Sequence, residues 1–220
     1  NICIFSTMLL ITLTCTATMW IGMDQIAYYD YPYDLQAVYS QNSNVIEKAG
    51  AKAAALSEKY GQEIERLDYY EAVKLDCGRR EGSNAFVSAA GFDFADQFAV
   101  TLLTLADYNR LEGESQSLEE GEVLLYSTGK EFGFDRVSFM GVEAAVKEEA
   151  EEIYPYPRAK NRMFSFTSQY VIVVKDKEDR DRFVTAWAQA NGVTDLEGFL
   201  HSGVRHVGLL LAGEEAKRDA

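Results

Sequence analysis

The chain changes its hydrophobic rhythm once, and early. Residues 1–23, NICIFSTMLLITLTCTATMWIGM, contain no charged side chain, and Asp24 is the first. Read as a helix, a stretch of that length reaches roughly 34 Å, enough to cross a hydrocarbon core of about 30 Å with some tilt. A secretory signal wants a basic leader and a shorter apolar core, whereas no Lys or Arg occurs before Lys48. The pattern predicts a transmembrane helix over residues 1–27, with a buried helix of a soluble domain as the competing reading. Thr7, Thr14 and Thr18 share one helical face, as in helices that pack against other membrane helices and not against lipid. Trp20, Tyr28, Tyr29 and Tyr31 cluster at its end and are predicted to lie at the membrane–water interface.

From residue 28 to 220 the pattern is that of an α+β domain. YDLQAVYS (33–40) alternates Leu35, Ala37 and Tyr39 with their neighbours as a half-buried strand does. Ile46, Ala49, Ala53, Leu56 and Tyr60 then recur at helical spacing, with Asn44 as the predicted cap and Gly61 as the stop. YYEAVKLD (69–76) and AFVSAA (85–90) flank CGRREGSN, a predicted loop that returns the chain as a hairpin. FAVTLLT (98–104) and YVIVVKD (170–176) are apolar strands that run straight into helices. Thr104 with Asp107 caps LADYNRL, which Gly113 ends; Asp176 caps a helix whose predicted inward stripe is Phe183, Val184, Trp187 and Ala190 before Gly192. EVLLYS (122–127), RVSFMG (136–141) and VRHVGLLLAG are further strands, and EEAKRDA reads as the start of a helix. Val142 to Glu152 fits a helix or the second arm of a hairpin turning at Gly141. The two strand–cap–helix units among hairpins predict a mixed sheet with helices covering one face.

Charge narrows the function classes. The chain has 21 Lys and Arg against 35 Asp and Glu, a formal charge of −14. Neutralising phosphates along a nucleic acid needs a basic face, so no nucleic-acid partner is expected. DQIAYYDYPYD, just after the apolar stretch, holds no Lys or Arg, which by the positive-inside rule places the rest outside the cytoplasm. An acidic domain there either concentrates cationic peptides by long-range attraction or is acidic only because positive residues are retained inside. Cys3 and Cys15 lie in the apolar stretch and Cys77 stands alone, so neither a disulfide framework nor a CxxC pair can be written. His201 and His206 fall on opposite faces of a strand and make no shared metal site. There is no GxSxG elbow and no GxxxxGK[ST] phosphate loop, and runs such as KEEAEE read as solvated faces. No catalytic, cofactor-binding or metal-ligating residue is predicted, and the chain is not expected to be an enzyme. Arg79 and Arg80 in the hairpin loop are either a solvated pair or a grip on an anionic lipid head group or wall polymer.

The apolar stretch followed by YPYD, the phrase LTLADYNRLEGESQSLEEGEVLLYS and the later VIVVKDKEDRDRF together resemble the FtsX-like permease family of ABC transporters. The likeness is to Gram-positive members with a MacB-type extracellular domain, including permeases linked to antimicrobial-peptide resistance, and it runs over nearly the whole chain. It implies a cell-membrane protein with a MacB-like extracytoplasmic domain set between two membrane helices and driven by a separate cytoplasmic ABC ATPase. Other permease helices or a second permease copy, membrane lipid and a cationic peptide substrate are the partners implied. The chain starts at Asn1 without an initiator Met and is expected to be a piece of such a permease, coupling ATP-driven helix motion to the handling of a peptide or lipid. The other class is a single-span, membrane-anchored sensor or ligand-binding domain.

Overall fold

Backbone pairing joins the expected strands into a ring where the sequence suggests a layer. The computed structural model describes residues 35–40, 43–62, 64, 67–80, 82–93, 97–127, 132–150, 169–197, 199 and 205–211. The chain divides into two units, Asn1–Pro32 and Tyr33–Ala220, and the described elements all belong to the second. The expected span over 1–27 and the interface residues Trp20, Tyr28, Tyr29 and Tyr31 lie outside the described residues, as does the helix expected at EEAKRDA. Among the described residues no helix is long and apolar enough to cross a membrane.

In chain order the elements are β1 (Leu35–Ser40), α1 (Ser43–Tyr60), β2 (Leu67–Arg79), β3 (Ala85–Ser88), β4 (Gln97–Thr104), α2 (Leu105–Glu112), β5 (Glu122–Ser127), β6 (Arg136–Phe139), β7 (Val142–Glu149), β8 (Gln169–Val174), α3 (Lys177–Ala190) and β9 (Arg205–Leu211). Neighbours run β2–β3–β6–β7–β5–β8–β4, and β4 pairs back onto β2, closing seven strands into a mixed α+β barrel. The pairs β3–β6, β4–β8 and β5–β7 are parallel, and the other four are antiparallel. β9 pairs with the first half of β2, and β1 with β9, as a ribbon outside the ring.

Closure corrects the expected sheet with helices on one face. β2 is 13 residues long, so it carries β9 and then β3 along one edge and β4 along the other. A closed ring leaves no free edge among its members. Alternate residues then point inward: Val73, Leu75 and Cys77 from β2 face Leu102, Val100 and Phe98 from β4 across their register. α2 lies outside against β2, β4 and β8, where Ala72, Leu103 and Val173 are buried. α3 does something different, because its Phe183 and Val184 join the interior cluster and plug one end.

The two strand–cap–helix units form as the sequence predicts and lie side by side, β4 and β8 pairing in parallel from Ala99↔Gln169 to Thr104↔Val174. Thr104 Oγ1 accepts from Asp107 N at 3.3 Å, Gly113 ends α2 at φ 69°, and the Asp176 carboxylate accepts from Asp179 N at 3.0 Å. The inward stripe of α3 differs at both ends: Ala190 is exposed, while Arg180 and Ala188 are buried. The segment from Val142 is the second arm of a hairpin. Met140 (φ 49°) and Gly141 (φ 85°) turn the chain in the left-handed region, and Val142 pairs with Phe139. α1 begins at Ser43, just before the expected Asn44 cap, and ends at Gly61, where a Cβ would lie 2.6 Å from the Ser57 carbonyl oxygen.

The predicted loop CGRREGSN is shorter than its composition suggests. Cys77, Gly78 and Arg79 remain in β2, paired with Ser88, Val87 and Phe86. Gly78 is there for close approach and not for a turn: a Cβ on it would sit 2.5 Å from the ring of Phe92. Gly78→Val is therefore expected to cost about 1–3 kcal/mol, as overpacking does. Urea unfolding of Gly78→Val with and without Phe92→Leu checks this, since the smaller side chain should restore part of the loss.

Candidate functional site

Strand direction decides what meets at each end of the barrel. β2, β5 and β7 finish at one end, where β3, β4, β6 and β8 begin. The first inward residues there are aromatic: Phe98 on β4 and Tyr170 on β8, with Phe86 from β3 fully buried between them. Phe86 meets Tyr170 edge-on at 5.1 Å, Phe98 edge-on at 5.9 Å, and lies parallel to Phe132 at 5.9 Å between centroids. Glu149, at the end of β7, accepts from the backbone N–H of Phe132 at 2.5 Å and of Gly133 at 3.4 Å, which holds the Phe132 ring in place.

Arg79, the last residue of β2, closes this end. Its guanidinium carbon lies 5.1 Å from the Phe132 centroid and 5.2 Å from that of Tyr170, a double cation–π seat, and Nη1 donates to the Ser83 carbonyl oxygen at 3.2 Å. The side chain is half-buried, whereas Arg80 beside it is exposed. The pair expected at a solvated hairpin tip is thus split between a held residue and a free-standing one.

Cys77 is the next inward residue of β2 behind Arg79 and is fully buried. Burial first, and then the charge of Asp76, push its thiol well above the ordinary range, so it is a neutral, packed group and not a nucleophile. In a Cys3→Ser, Cys15→Ser background, iodoacetamide at pH 8 is expected to leave Cys77 unmodified in the folded chain and to alkylate it in urea. Mass spectrometry reads the outcome; equal modification in both states contradicts the burial. The fold should also lose stability as pH rises past the ordinary thiol value of about 8.5, because only the unfolded thiol then ionises.

At the opposite end α3 is the plug. Phe183 meets Phe139 of β6 at 5.4 Å, Trp187 Nε1 donates to the Asp76 carbonyl at 2.8 Å, and Ser88 Oγ donates to Asn191 Oδ1 at 2.7 Å. Arg180 is 1% exposed, with Nη2 3.3 Å from Glu71 Oε1 and Nε 3.8 Å from Asp181 Oδ1. Glu71 N donates to Asp107 Oδ2 at 3.4 Å, so one polar chain ties α3 to β2 and to the start of α2. Tyr108 on α2 has its hydroxyl pushed up to about 12, by burial first and then by Glu114, to which it donates at 3.4 Å, with Glu112 and Glu148 adding to the effect. A polar cleft of about 530 Å³ opens beside the start of α3; of its acids, Asp176 caps the helix and Asp179 pairs with Arg182 at 3.2 Å.

Of the other residues singled out in the sequence, His206 lies on β9 opposite Ser40 and Ala72, and His201 is outside the described residues. Among the described residues no group of three or more His, Cys, Asp or Glu is placed to hold a metal ion. Sequence reading missed the Arg79 seat and the Arg180–Glu71 pair. For Arg180 a signal existed: Arg180, Phe183, Val184 and Trp187 stand at i, i+3, i+4 and i+7, which puts the arginine on the apolar face.

No protein-family model matches the chain, and no curated protein matches it. Among solved structures, the crystal structure of a candidate lipoprotein from Bacillus anthracis aligns at 11% identity and a TM-score of 0.37, covering 81% of this chain and 84% of that one. A likeness that low assigns nothing.

Proposed function

We propose that this chain is part of the membrane permease subunit of an FtsX-like ABC transporter, with the barrel as its extracytoplasmic domain. The observation that carries the reading is the ribbon: β1 and β9 are antiparallel with Leu35 opposite Leu211, so the first and the last described residues of the domain lie side by side, about 5 Å apart. A domain inserted between two neighbouring membrane helices needs that geometry. The uncharged residues 1–23 are long enough to supply the first helix. No GxxxxGK[ST] loop occurs, so nucleotide hydrolysis belongs to a partner ATPase. β2 runs without a break from the ribbon to Arg79, roughly 43 Å at strand rise.

Val87, the exposed apolar residue of β3, provides the test. In the Cys3→Ser, Cys15→Ser chain, Val87→Cys should react with a membrane-impermeant maleimide on intact cells, and a P-loop ATPase should co-purify with the full-length protein. Labelling only after lysis overturns the extracytoplasmic placement. Labelling on intact cells without an ATPase favours the anchored sensor.

A further inference from the structure

The sequence contains one Asn–Gly pair, Asn191–Gly192, and the fold places it where α3 ends. Asparagine followed by glycine is the pair most prone to deamidate, because no side chain shields the glycine nitrogen as it attacks the neighbouring carboxamide. Both residues serve the structure here. Gly192 sits at φ 70° in the left-handed region and completes the helix stop: its N–H donates to the Gln189 carbonyl at 3.2 Å, and the Val193 N–H donates to that of Ala188 at 2.9 Å. Asn191 joins two elements, Nδ2 donating to the Trp187 carbonyl at 2.8 Å and Oδ1 accepting from Ser88 Oγ of β3 at 2.7 Å. These bonds occupy both reacting groups, the glycine nitrogen and the carboxamide. The backbone opposes reaction as well. With ψ of Asn191 at 7°, the Gly192 nitrogen eclipses the Asn191 nitrogen and not Cβ, whereas closure of a succinimide ring needs it beside Cβ.

We propose that Asn191–Gly192 is a deamidation site kept closed by the docking of α3 on β3 and opened when the end of α3 lifts away. Once free, the Gly192 nitrogen gives its proton to water and bonds to Asn191 Cγ, and Nδ2 leaves as ammonia. Water then opens the succinimide, at Cγ to give aspartate or at the backbone carbonyl to give isoaspartate. Either product sets a carboxylate in place of the carboxamide that donates to the Trp187 carbonyl. It also puts negative charge at the C-terminal end of α3, whose last turn holds no basic residue. The conversion is a one-way latch: it opposes the return of α3 to the barrel end.

The experiment holds the full chain in neutral maltoside micelles in mildly alkaline buffer, and peptide mapping by mass spectrometry follows amide-to-acid conversion at Asn191. A synthetic peptide of residues 187–196 is the unfolded reference. Conversion in the folded chain is expected to be at least tenfold slower than in the peptide, and within twofold of it in urea. Ser88→Ala should speed it at least threefold while the amides shared by β2 and β4 stay protected from hydrogen exchange, and Ser88→Thr, which keeps the hydroxyl, should stay within twofold of the parent. A hydroxyl that only polarised the carboxamide would slow the reaction when removed. Peptide-like conversion in the folded parent, or no acceleration in Ser88→Ala, overturns the site. Asn191→Asp should raise hydrogen exchange of the α3 amides at least fivefold and leave the β2–β4 amides unchanged. Unchanged exchange in α3, or equal acceleration in both places, overturns the latch.

Discussion

Replacing Phe86 with alanine is expected to lower the unfolding free energy by about 3–5 kcal/mol, the usual cost of emptying a phenylalanine site in a core. Phe86 is fully buried and its ring touches four others, from Phe98, Phe132, Phe139 and Tyr170. Those neighbours come from β4, β6, β8 and the segment before β6, so no single strand can shift to fill the space. The loss should reach Arg79, whose seat is made of two of the same rings. Guanidinium unfolding followed by Trp187 fluorescence in a Trp20→Phe background measures it. A change below about 1 kcal/mol would mean that the barrel end is loosely packed, contrary to the ring geometry.

Removing Glu71 is expected to be as severe and to exceed the loss from removing its partner. Glu71→Leu leaves the Arg180 guanidinium buried with Asp181, at 3.8 Å, as its one carboxylate partner among the described residues, and stranding one member of a buried pair costs about 3–5 kcal/mol. Arg180→Met leaves instead a carboxylate whose side chain is 24% exposed and can be hydrated, so a smaller cost is expected. The double variant should lose less than the sum of the two, because no charge is left stranded. Denaturant midpoints of the four chains give the coupling directly. Additive losses would show that the pair does not hold α3 over the barrel end.

How much of this could be read from the residues depends on the range of the interactions involved. The β4–α2 and β8–α3 units were legible because alternation, an N-cap and a stop each act within a few residues: Thr104 with Asp107, Asp176 with Asp179, Gly113 at the end. β5 and β6 were legible for the same reason. Gly78 misled because glycine marks turns by its backbone freedom, while here it makes room for Phe92, a neighbour brought in by folding. Val142 to Glu149 was undecidable locally, since the inward residue Ala144 is chosen by β6 across the hairpin and not by the residues beside it.

The sequence by itself determined that the chain has an uncharged front followed by an acidic α+β domain, where most of its strands and helices lie, and that it carries no phosphate loop or metal spacing. Only the tertiary structure decided that β4 returns to β2 and closes the barrel, that Leu35 and Leu211 are neighbours, that Arg180 is buried against Glu71, and that Arg79 sits on Phe132 and Tyr170. The division has one physical reason: periodicity and capping are set by adjacent residues, whereas closure, pairing register and ring stacking join residues far apart in the chain, whose encounter no local pattern encodes.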